Sequence, residues 1–468
     1  MTLMPPHLFG TSGIRNTDDF FTDQFCFRIA QAFCQYLQEQ NLPKRIVLGI
    51  DIRKSSARIA SALIAGIKAS GFNPLYGGVV PSPCLNFFAK ANQCGGIMVT
   101  GSHLSTGQNG IKFFLENREL VGEDEKRIEV LYASLHVSLS ASPDTGDTVP
   151  SSVSKRLPQP DPICLALYQQ MLVSHVRDLS GMTIVLDVAY GTQQFVMPFV
   201  FEKAGAKVIT LHRGTEAFTG VDTELSEGFE ELKQAVLNNK ADLGILYDSD
   251  GDRSLYVNHT GELVHGDVIG ALLAKHLPHK LVGGTIATPM NTSSVVDHLE
   301  KKIIRTKVGS PRVIEAMLNH KLKFGFEGNC GIILAHSIYS RDGGIASVLL
   351  VNLLDQTGKS LKQLTAELPQ FFIEKSKVDC PRKLNNQIIA EIKAKYAPRA
   401  KKIEELDGLK IYFDDASSES WMLFRPSGNA PEFRVFAEAR SKERAKELVG
   451  EGVKDVQTLI HSSHSSHP

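Results

Sequence analysis

The sequence predicts an α/β fold divided into several units: three built alike, then a smaller α+β unit at the carboxyl end. Three observations carry this. The chain has 468 residues, too many for one typical domain and enough for about three to four. Short apolar runs alternate with stretches of helical period, the βαβ pattern of a sheet covered by helices. Two of those runs, Gly96-Ile97-Met98-Val99 and Leu243-Gly244-Ile245-Leu246-Tyr247, stop abruptly in polar loops. In such sheets the carboxyl ends of strands are where ligands bind.

The first unit is expected over residues 1–150. A helix is predicted from Asp23 to Gln38, with Phe25, Ile29, Ala32, Phe33, Tyr36 and Leu37 on one side. The strand Arg45-Ile46-Val47-Leu48-Gly49-Ile50 follows, then a helix from Ala57 to Ser70. Gly71 stands at the C′ position, where a left-handed residue closes a helix. Asp51, Arg53 and Ser55 read as a helix cap with surface charge or, equally well, as a stretch that resembles a family signature near an active site. The strand ending at Val99 leads into Thr100-Gly101-Ser102-His103-Leu104-Ser105-Thr106-Gly107-Gln108-Asn109-Gly110-Ile111-Lys112. A hydroxyl on a glycine-flanked turn at a strand end, as at Ser102, is held where chemistry can reach it. A polar loop of ordinary turn residues is the alternative.

Residues 134–162 are rich in Ser and Pro and predict a linker or excursion. The second unit, 151–258, contains the strand Met182 to Asp187, a helix ending near Gly205 and the strand Lys207 to Leu211. It closes with Asp248-Ser249-Asp250-Gly251-Asp252-Arg253 and Ser254 to Val257. Three carboxylates at alternate positions repel one another unless a cation neutralises them, and an all-oxygen set suits magnesium. An EF-hand would need a glutamate at loop position 12; counting from Asp248, that place is His259. A solvated acidic turn is the bland alternative.

The third unit, 259–374, starts with the stretch Asp267 to Ala274. The strand Gly284 to Ala287, the turn Arg305-Thr306-Lys307-Val308-Gly309-Ser310 and a strand–turn–strand from Lys323 to Leu334 follow. The fourth, 375–468, holds three strand patterns, Leu409 to Phe413, Trp421 to Arg425 and Glu432 to Ala439, and a helix from Lys442. Its low-complexity end, His461 to Pro468, is expected to be disordered.

Composition excludes several functions. Lys plus Arg equal Asp plus Glu at 51 each, which gives no electrostatic case for nucleic acid or an anionic membrane surface. No apolar run approaches the length of a membrane span. The start, Met1-Thr2-Leu3-Met4-Pro5-Pro6, lacks the basic and apolar regions of a secretory signal. Seven cysteines without metal-ligand spacing fit reduced thiols and a cytoplasmic location.

Four motifs together carry a family resemblance. Phe9-Gly10-Thr11-Ser12-Gly13-Ile14-Arg15, the Ser102 loop, the aspartate loop and Arg425-Pro426-Ser427-Gly428-Asn429-Ala430-Pro431 stand in the order found in the α-D-phosphohexomutases. That family comprises the phosphoglucomutases and phosphomannomutases, and the likeness spans nearly the whole chain. The resemblance implies a four-domain architecture with mixed sheets around a central cleft. It implies an isomerase in which a phosphorylated Ser102 gives its phosphoryl group to one sugar hydroxyl and retakes it from another. A hexose 1,6-bisphosphate is then both intermediate and activator. It further implies Mg2+ on Ser102, Asp248, Asp250 and Asp252, with Arg15 and Arg253 on the travelling phosphate. His103 and Lys112 are candidates for proton handling, and Glu327, Asn329 and Lys307 for holding the sugar. Arg425, Ser427, Gly428, Asn429 and Arg434 are assigned to the substrate's own phosphate.

The sequence also departs from the family. Many relatives have Asn-Pro after the Ser-His pair; here Leu104-Ser105 follow. The common sugar loop reads Gly-Glu-x-Ser-Gly-His; here it is Phe326-Glu327-Gly328-Asn329-Cys330-Gly331, with no histidine. Some relatives carry a histidine after the Val-Gly-like turn, where this chain has Ser310. The wording is closest to a phosphomannomutase-like subgroup, so interconversion of mannose 6-phosphate and mannose 1-phosphate is expected, with glucose phosphates as further substrates. Phosphoglucosamine mutase is the near alternative; a sugar phosphatase and a non-catalytic sugar-phosphate binder are the distant ones. A hexose phosphate is the expected partner, with the chain a monomer or homodimer serving nucleotide-sugar supply.

Overall fold

Three sheets organise the chain in the computed structural model, which describes residues 7–140, 156–215, 218–221, 223, 228–415, 418–427 and 431–465. Three α/β units and an antiparallel carboxyl-terminal sheet with helices make up the fold. The predicted alternation is present. The helix Asp23–Glu39 begins at Thr22, whose hydroxyl accepts from the Phe25 N–H at 3.1 Å, and its apolar side is buried. The parallel strands Asn73–Val79, Arg45–Ile50 and Gly95–Val99 lie side by side, and Gln108–Leu115 runs antiparallel to the last. The strand Ile14–Thr17 pairs with Gln108–Leu115, placing Arg15 opposite Gly110.

This sheet does not end within its own unit. Arg118–Glu119 pairs in parallel with Ile338–Arg341 through Arg118 and Tyr339. One eleven-stranded sheet therefore runs from Asn73–Val79 to Lys302–Thr306. Glu119 locks the join, accepting from the hydroxyls of Ser12 at 3.3 Å, Ser310 at 3.0 Å and Ser340 at 2.9 Å. A buried carboxylate is tolerated only with such partners. The sequence pattern shows the strands at Arg45–Ile50, Gly95–Val99, Thr285–Pro289, Phe324–Glu327 and Gly331–Leu334, but not Ile14–Thr17, Asn73–Val79, Lys302–Thr306, Ile338–Arg341 or the two-residue strand on which the sheet's continuity rests.

The second sheet has five strands, with Leu243–Tyr247 between Ser254–Asn258 and Thr183–Asp187. Leu263–Val264 extends it, past the unit boundary expected after residue 258. The third sheet is antiparallel throughout. Its strand Phe372–Asp379 pairs along its whole length with Glu432–Ala439, so this unit starts ahead of the expected residue 375. The helix Lys442–Ser465 reaches into the stretch expected to be disordered, as far as Ser465, with Leu448 and Val456 buried against the sheet. Residues 466–468 lie outside the described residues, as does 141–155 of the expected linker; its flanks are the helices Gly122–Ser140 and Pro162–His175. Among the described residues no helix is long and apolar enough to cross a membrane. All seven cysteines are free and buried.

The third sheet docks on the third unit through a polar seam. Lys410 Nζ donates to the Met290 carbonyl at 2.6 Å and lies 3.9 Å from the centre of the Trp421 ring. The Trp421 indole N–H donates to Glu438 at 2.7 Å, and Glu438 also accepts from the Ser294 N–H at 2.9 Å. Trp421, Lys410 and Glu438 are all buried. Glu438→Ala strands the buried Ser294 N–H, leaves the Trp421 N–H only the Ser294 hydroxyl at 3.1 Å, removes the carboxylate facing Lys410, and is expected to cost about 2–5 kcal/mol. Glu438→Gln, which keeps an acceptor, should cost less. Denaturant midpoints measure both; equal midpoints for Glu438→Ala and the parent would contradict this account of the seam.

Candidate active site

Ser102 stands just beyond the strand Gly95–Val99, fully buried and with φ +50°. A non-glycine residue in this left-handed region needs its surroundings to hold it there. Thr100 supplies one hold, its hydroxyl accepting from the Ser102 N–H at 2.8 Å. The Ser249 hydroxyl donates to the Ser102 carbonyl, and Arg53 holds the loop as a whole. Its guanidinium donates to the carbonyls of Ser102 at 2.7 Å, Leu104 at 2.6 Å, Ser105 at 3.0 Å and Gln108 at 3.2 Å. Asp51 pairs with Arg53 Nε at 3.0 Å. Arg53 is thus the staple of the serine loop, not a surface charge. Gly101 makes room for it, since a Cβ there would lie 2.7 Å from Arg53 Cζ.

The second strand end meets the first. Ser102 Oγ donates to Asp248 Oδ2 at 2.9 Å. Asp248, Asp250 and Asp252 are fully buried, and each offers an oxygen within 4.8 Å of the others. Lys112 Nζ donates to Asp250 and Asp252, at 2.6 Å each. Burial alone would lower the Lys112 pKa; Asp250 and Asp252 outweigh it and hold the ammonium above its ordinary value. Burial first, then Asp252 and Asp250, raises Asp248. Asp252 moves the other way: against burial, Arg341, Lys112 and Arg253 hold it below the carboxylate range. Asp250 Oδ1 and Asp252 Oδ1 are buried with no hydrogen-bond partner among the described residues. Hard, unsatisfied oxygens beside a raised carboxyl fit a small divalent cation, Mg2+ being the natural choice.

A cavity of ≈ 400 Å³ opens above these loops. The amino-terminal motif contributes Thr11, Ser12 and Arg15, and the serine and aspartate loops contribute His103 and Arg253. Glu327 and Asn329 come from the sugar-loop strand end, and Arg425 and Arg434 from the third sheet. Burial first, then Arg253 and Arg341, pushes Arg15 down to about 10, which leaves it charged at neutral pH. Its Nε and Nη2 have no hydrogen-bond partner among the described residues. Burial, with Arg253 and Arg15, lowers His103 and keeps it neutral. Arg253 Nη1 lies 2.9 Å from His103 Nδ1; since arginine donates, the imidazole proton belongs on Nε2. Arg425 pairs with Asp407 at 2.7 Å, and Asp407 also accepts from the Val308 N–H at 2.9 Å. That carboxylate ties the third sheet to the Lys307 turn.

Not every expected residue faces this cavity. Lys307 is exposed, and its neighbours Val308 and Ser310 line the wall instead. Lys112 lies below the cavity floor, on the aspartates. Ser427 is buried, its N–H donating to the Glu432 carbonyl at 2.8 Å. Gly428 and Asn429 lie outside the described residues. Three cationic residues were not expected: Lys375 and Lys377 on Phe372–Asp379, and Arg341 at the end of Ile338–Arg341. A lysine alternating along an edge pattern gives no signal of its own. Arg341, directly before the Asp342 helix cap, reads as an ordinary strand end.

A buried hydroxyl at a cation-ready acidic cluster, under a cavity walled by arginines, suits transfer of a phosphoryl group, which depends on positioning and charge neutralisation. Comparisons with known proteins agree. Family models described as phosphoglucomutase/phosphomannomutase, alpha/beta/alpha domains I, II and III match residues 6–136, 166–261 and 265–372. A phosphoglucomutase/phosphomannomutase of Thermococcus kodakarensis is 30% identical, over 97% of this chain and 99% of the relative. A phosphoglucosamine mutase of Nautilia profundicola is 31% identical, over 94% and 97%. The crystal structure of a phosphoglucomutase/phosphomannomutase family protein from Burkholderia thailandensis superposes with a TM-score of 0.79 at 19% identity, over 97% of each chain.

The staple predicts a local effect. Arg53→Met removes four donations to loop carbonyls, the Ser102 carbonyl keeping only the Ser249 hydroxyl, and should speed amide exchange across residues 102–108 on the order of tenfold or more. Exchange should be unchanged in the third sheet. Parental protection of the 102–108 loop would show that Arg53 does not hold it.

Proposed function

Because this chain belongs to the α-D-phosphohexomutase family and is an intramolecular phosphotransferase, we propose that it interconverts the 6- and 1-phosphates of a hexose through phosphorylated Ser102. The observation that carries this is the Ser102 hydroxyl on Asp248, beside Asp250 and Asp252 and under Arg15 and Arg253. In the forward half-reaction the free sugar oxygen bonds to the phosphoserine phosphorus as the Ser102 Oγ–P bond breaks, the hydroxyl proton passes in net terms to the freed Ser102 Oγ, and a hexose 1,6-bisphosphate forms. After the bisphosphate turns round, Ser102 attacks the other phosphate, regains a phosphoryl group and releases the isomer. Trace bisphosphate primes an unphosphorylated enzyme.

Asp248, Asp250 and Asp252, with Ser102, would hold Mg2+, which when bound neutralises charge on the phosphoryl oxygens. Arg15 and Arg253 present guanidinium forks to the same oxygens. Lys112, protonated between Asp250 and Asp252, balances their charge rather than acting as a base. His103 offers Nε2–H as a donor. Glu327 and Asn329 face the sugar hydroxyls. Arg425 and Arg434 grip the phosphate that is not being transferred.

We place glucosamine phosphate first among the substrates, ahead of the mannose phosphate expected from the sequence. Full-length relatives carry the name phosphoglucosamine mutase, and the carboxylate of Glu327 on the cavity wall suits a protonated amino group. Mannose and glucose phosphates are the second reading, favoured by the full-length Thermococcus relative.

Three assays test the reading. Glucosamine 1-phosphate, mannose 1-phosphate and glucose 1-phosphate are compared side by side, each with Mg2+ and a trace of its bisphosphate. The amino sugar should give the highest kcat/KM, chelation of Mg2+ should stop turnover, and readdition should restore it. A preference for mannose phosphate would restore the order expected from the sequence, and turnover of none would sink the mutase. Ser102→Ala should lose nearly all isomerisation while keeping its fold. Arg425→Gln should raise KM on the order of tenfold or more with a smaller effect on kcat; altered stability with parental kinetics would make that loop structural.

A further inference from the structure

We propose that Arg341 is a third phosphoryl-binding arginine of this site, standing in the space that a histidine side chain of the usual sugar loop would fill; this rests on the mutase reading above. The case starts at Gly331. Six residues of loop run Phe326-Glu327-Gly328-Asn329-Cys330-Gly331, and the common pattern ends in histidine where Gly331 stands. A Cβ on Gly331 would lie 2.5 Å from Arg341 Cδ and 3.0 Å from its Cγ. No side chain can occupy that place while Arg341 does. The Gly331 φ is an ordinary one, so the glycine answers a need for space rather than for backbone freedom. The two strands that bear them, Gly331–Leu334 and Ile338–Arg341, are hairpin neighbours.

The guanidinium reaches from that stem to the meeting point of the loops. Nη2 lies 2.8 Å from Asp252 Oδ2 and 3.3 Å from Ser12 Oγ, and Nη1 lies 3.4 Å from Glu327 Oε2. Arg341 therefore bridges the metal loop, the amino-terminal motif and the sugar loop at once. It is 1% exposed yet lines the cavity beside Arg15 and Arg253. Its Nε has no hydrogen-bond partner among the described residues. A purely structural arginine at this depth would use all its donors, because an unused buried donor costs free energy. A donor kept unsatisfied on the wall of a phosphate-binding cavity is a donor kept for the ligand. A phosphoryl oxygen takes such an N–H readily, and the neighbouring Nη–Asp252 pair fixes the plane of the fork.

The test uses the full-length enzyme with Mg2+, the bisphosphate primer and whichever of the three hexose phosphates the parent turns over best. Arg341→Lys keeps a positive charge but loses the fork and Nε. It should lower kcat on the order of 100-fold, with KM changing less, and slow single-turnover phosphorylation of Ser102 by the bisphosphate in parallel. Arg341→Gly should be less active still, and added methylguanidinium, but not methylammonium, should restore part of its turnover. A structural role would not give that rescue. Parental kcat in Arg341→Lys, or a lowered kcat without rescue of a folded Arg341→Gly, would overturn the role of Arg341 while leaving the mutase intact. Should Arg341→Gly fail to fold, the Arg341→Lys kinetics decide. A parent that isomerises none of the three sugars would overturn the mutase reading and the Arg341 role with it.

Discussion

Three carboxylates buried within 4.8 Å of one another are the constraint on which the rest of this structure depends. Left alone, such a cluster would repel itself and shed its charge onto protons. The fold surrounds it with cations drawn from separate parts of the chain. Lys112 comes from the strand Gln108–Leu115, Arg253 from the loop itself and Arg341 from the far half of the long sheet. The compensation is uneven. Asp252, with most of the cations, stays ionised, whereas Asp248, facing Ser102, is raised. The cluster is therefore balanced on its inner side and short of charge on the side where the serine waits, which is where a divalent cation fits.

That arrangement requires distant segments to meet with little slack, and the seams between units provide it. The parallel bridge between Arg118 and Tyr339 makes one sheet of two, so Ser102 and Arg341 stand on a common rigid frame. Glu119 collects hydroxyls from Ser12, Ser310 and Ser340 at the same join. The second sheet is tied in at Asp250, whose carbonyl accepts from the Ser82 N–H at 2.8 Å. The third sheet is attached differently. Beyond the Trp421 seam it reaches the cavity through one carboxylate, Asp407, shared between Arg425 and Val308. Arg425 and Arg434 thus reach the cavity from a sheet joined to the rest by these polar seams.

Much of this was legible in the sequence because its signals are local. The run Arg45–Ile50 is a strand with those bounds, and Glu432–Ala439 likewise. The Ser102 and Asp248 loops announce themselves as polar interruptions at apolar strand ends. What stayed hidden depends on tertiary approach. Arg53 looked as much like surface charge as like part of a site, since its four carbonyl partners lie about fifty residues on. Arg341 carried no motif, and its meaning comes only from its closeness to Gly331. Lys307 was the converse, a motif residue whose side chain is exposed while Val308 and Ser310 face the cavity. Pattern shows which loops matter; it does not show which way a given side chain turns.

The charge lining the cavity bears on the hardest step of the proposed cycle. A hexose bisphosphate must leave one orientation and take up the other without escaping to solvent. Arg15, Arg253, Arg341, Lys375, Lys377, Arg425 and Arg434 line the cavity, against the carboxylates of Glu327 and Glu432. Two phosphate groups at neutral pH carry close to two negative charges each, and these cations, several of them already paired with Asp252, Asp407 and Glu432, offer donors to both ends. The cations are also spread: some stand over Ser102 and others on the third sheet. A phosphate leaving one group finds another before it finds water, in a walled cavity where such attractions are weakly screened. Retention through the turn is then a property of the whole lining rather than of any one residue. That explains why a chain can lose the usual histidine from its sugar loop and keep the cavity positive by supplying an arginine from the neighbouring strand.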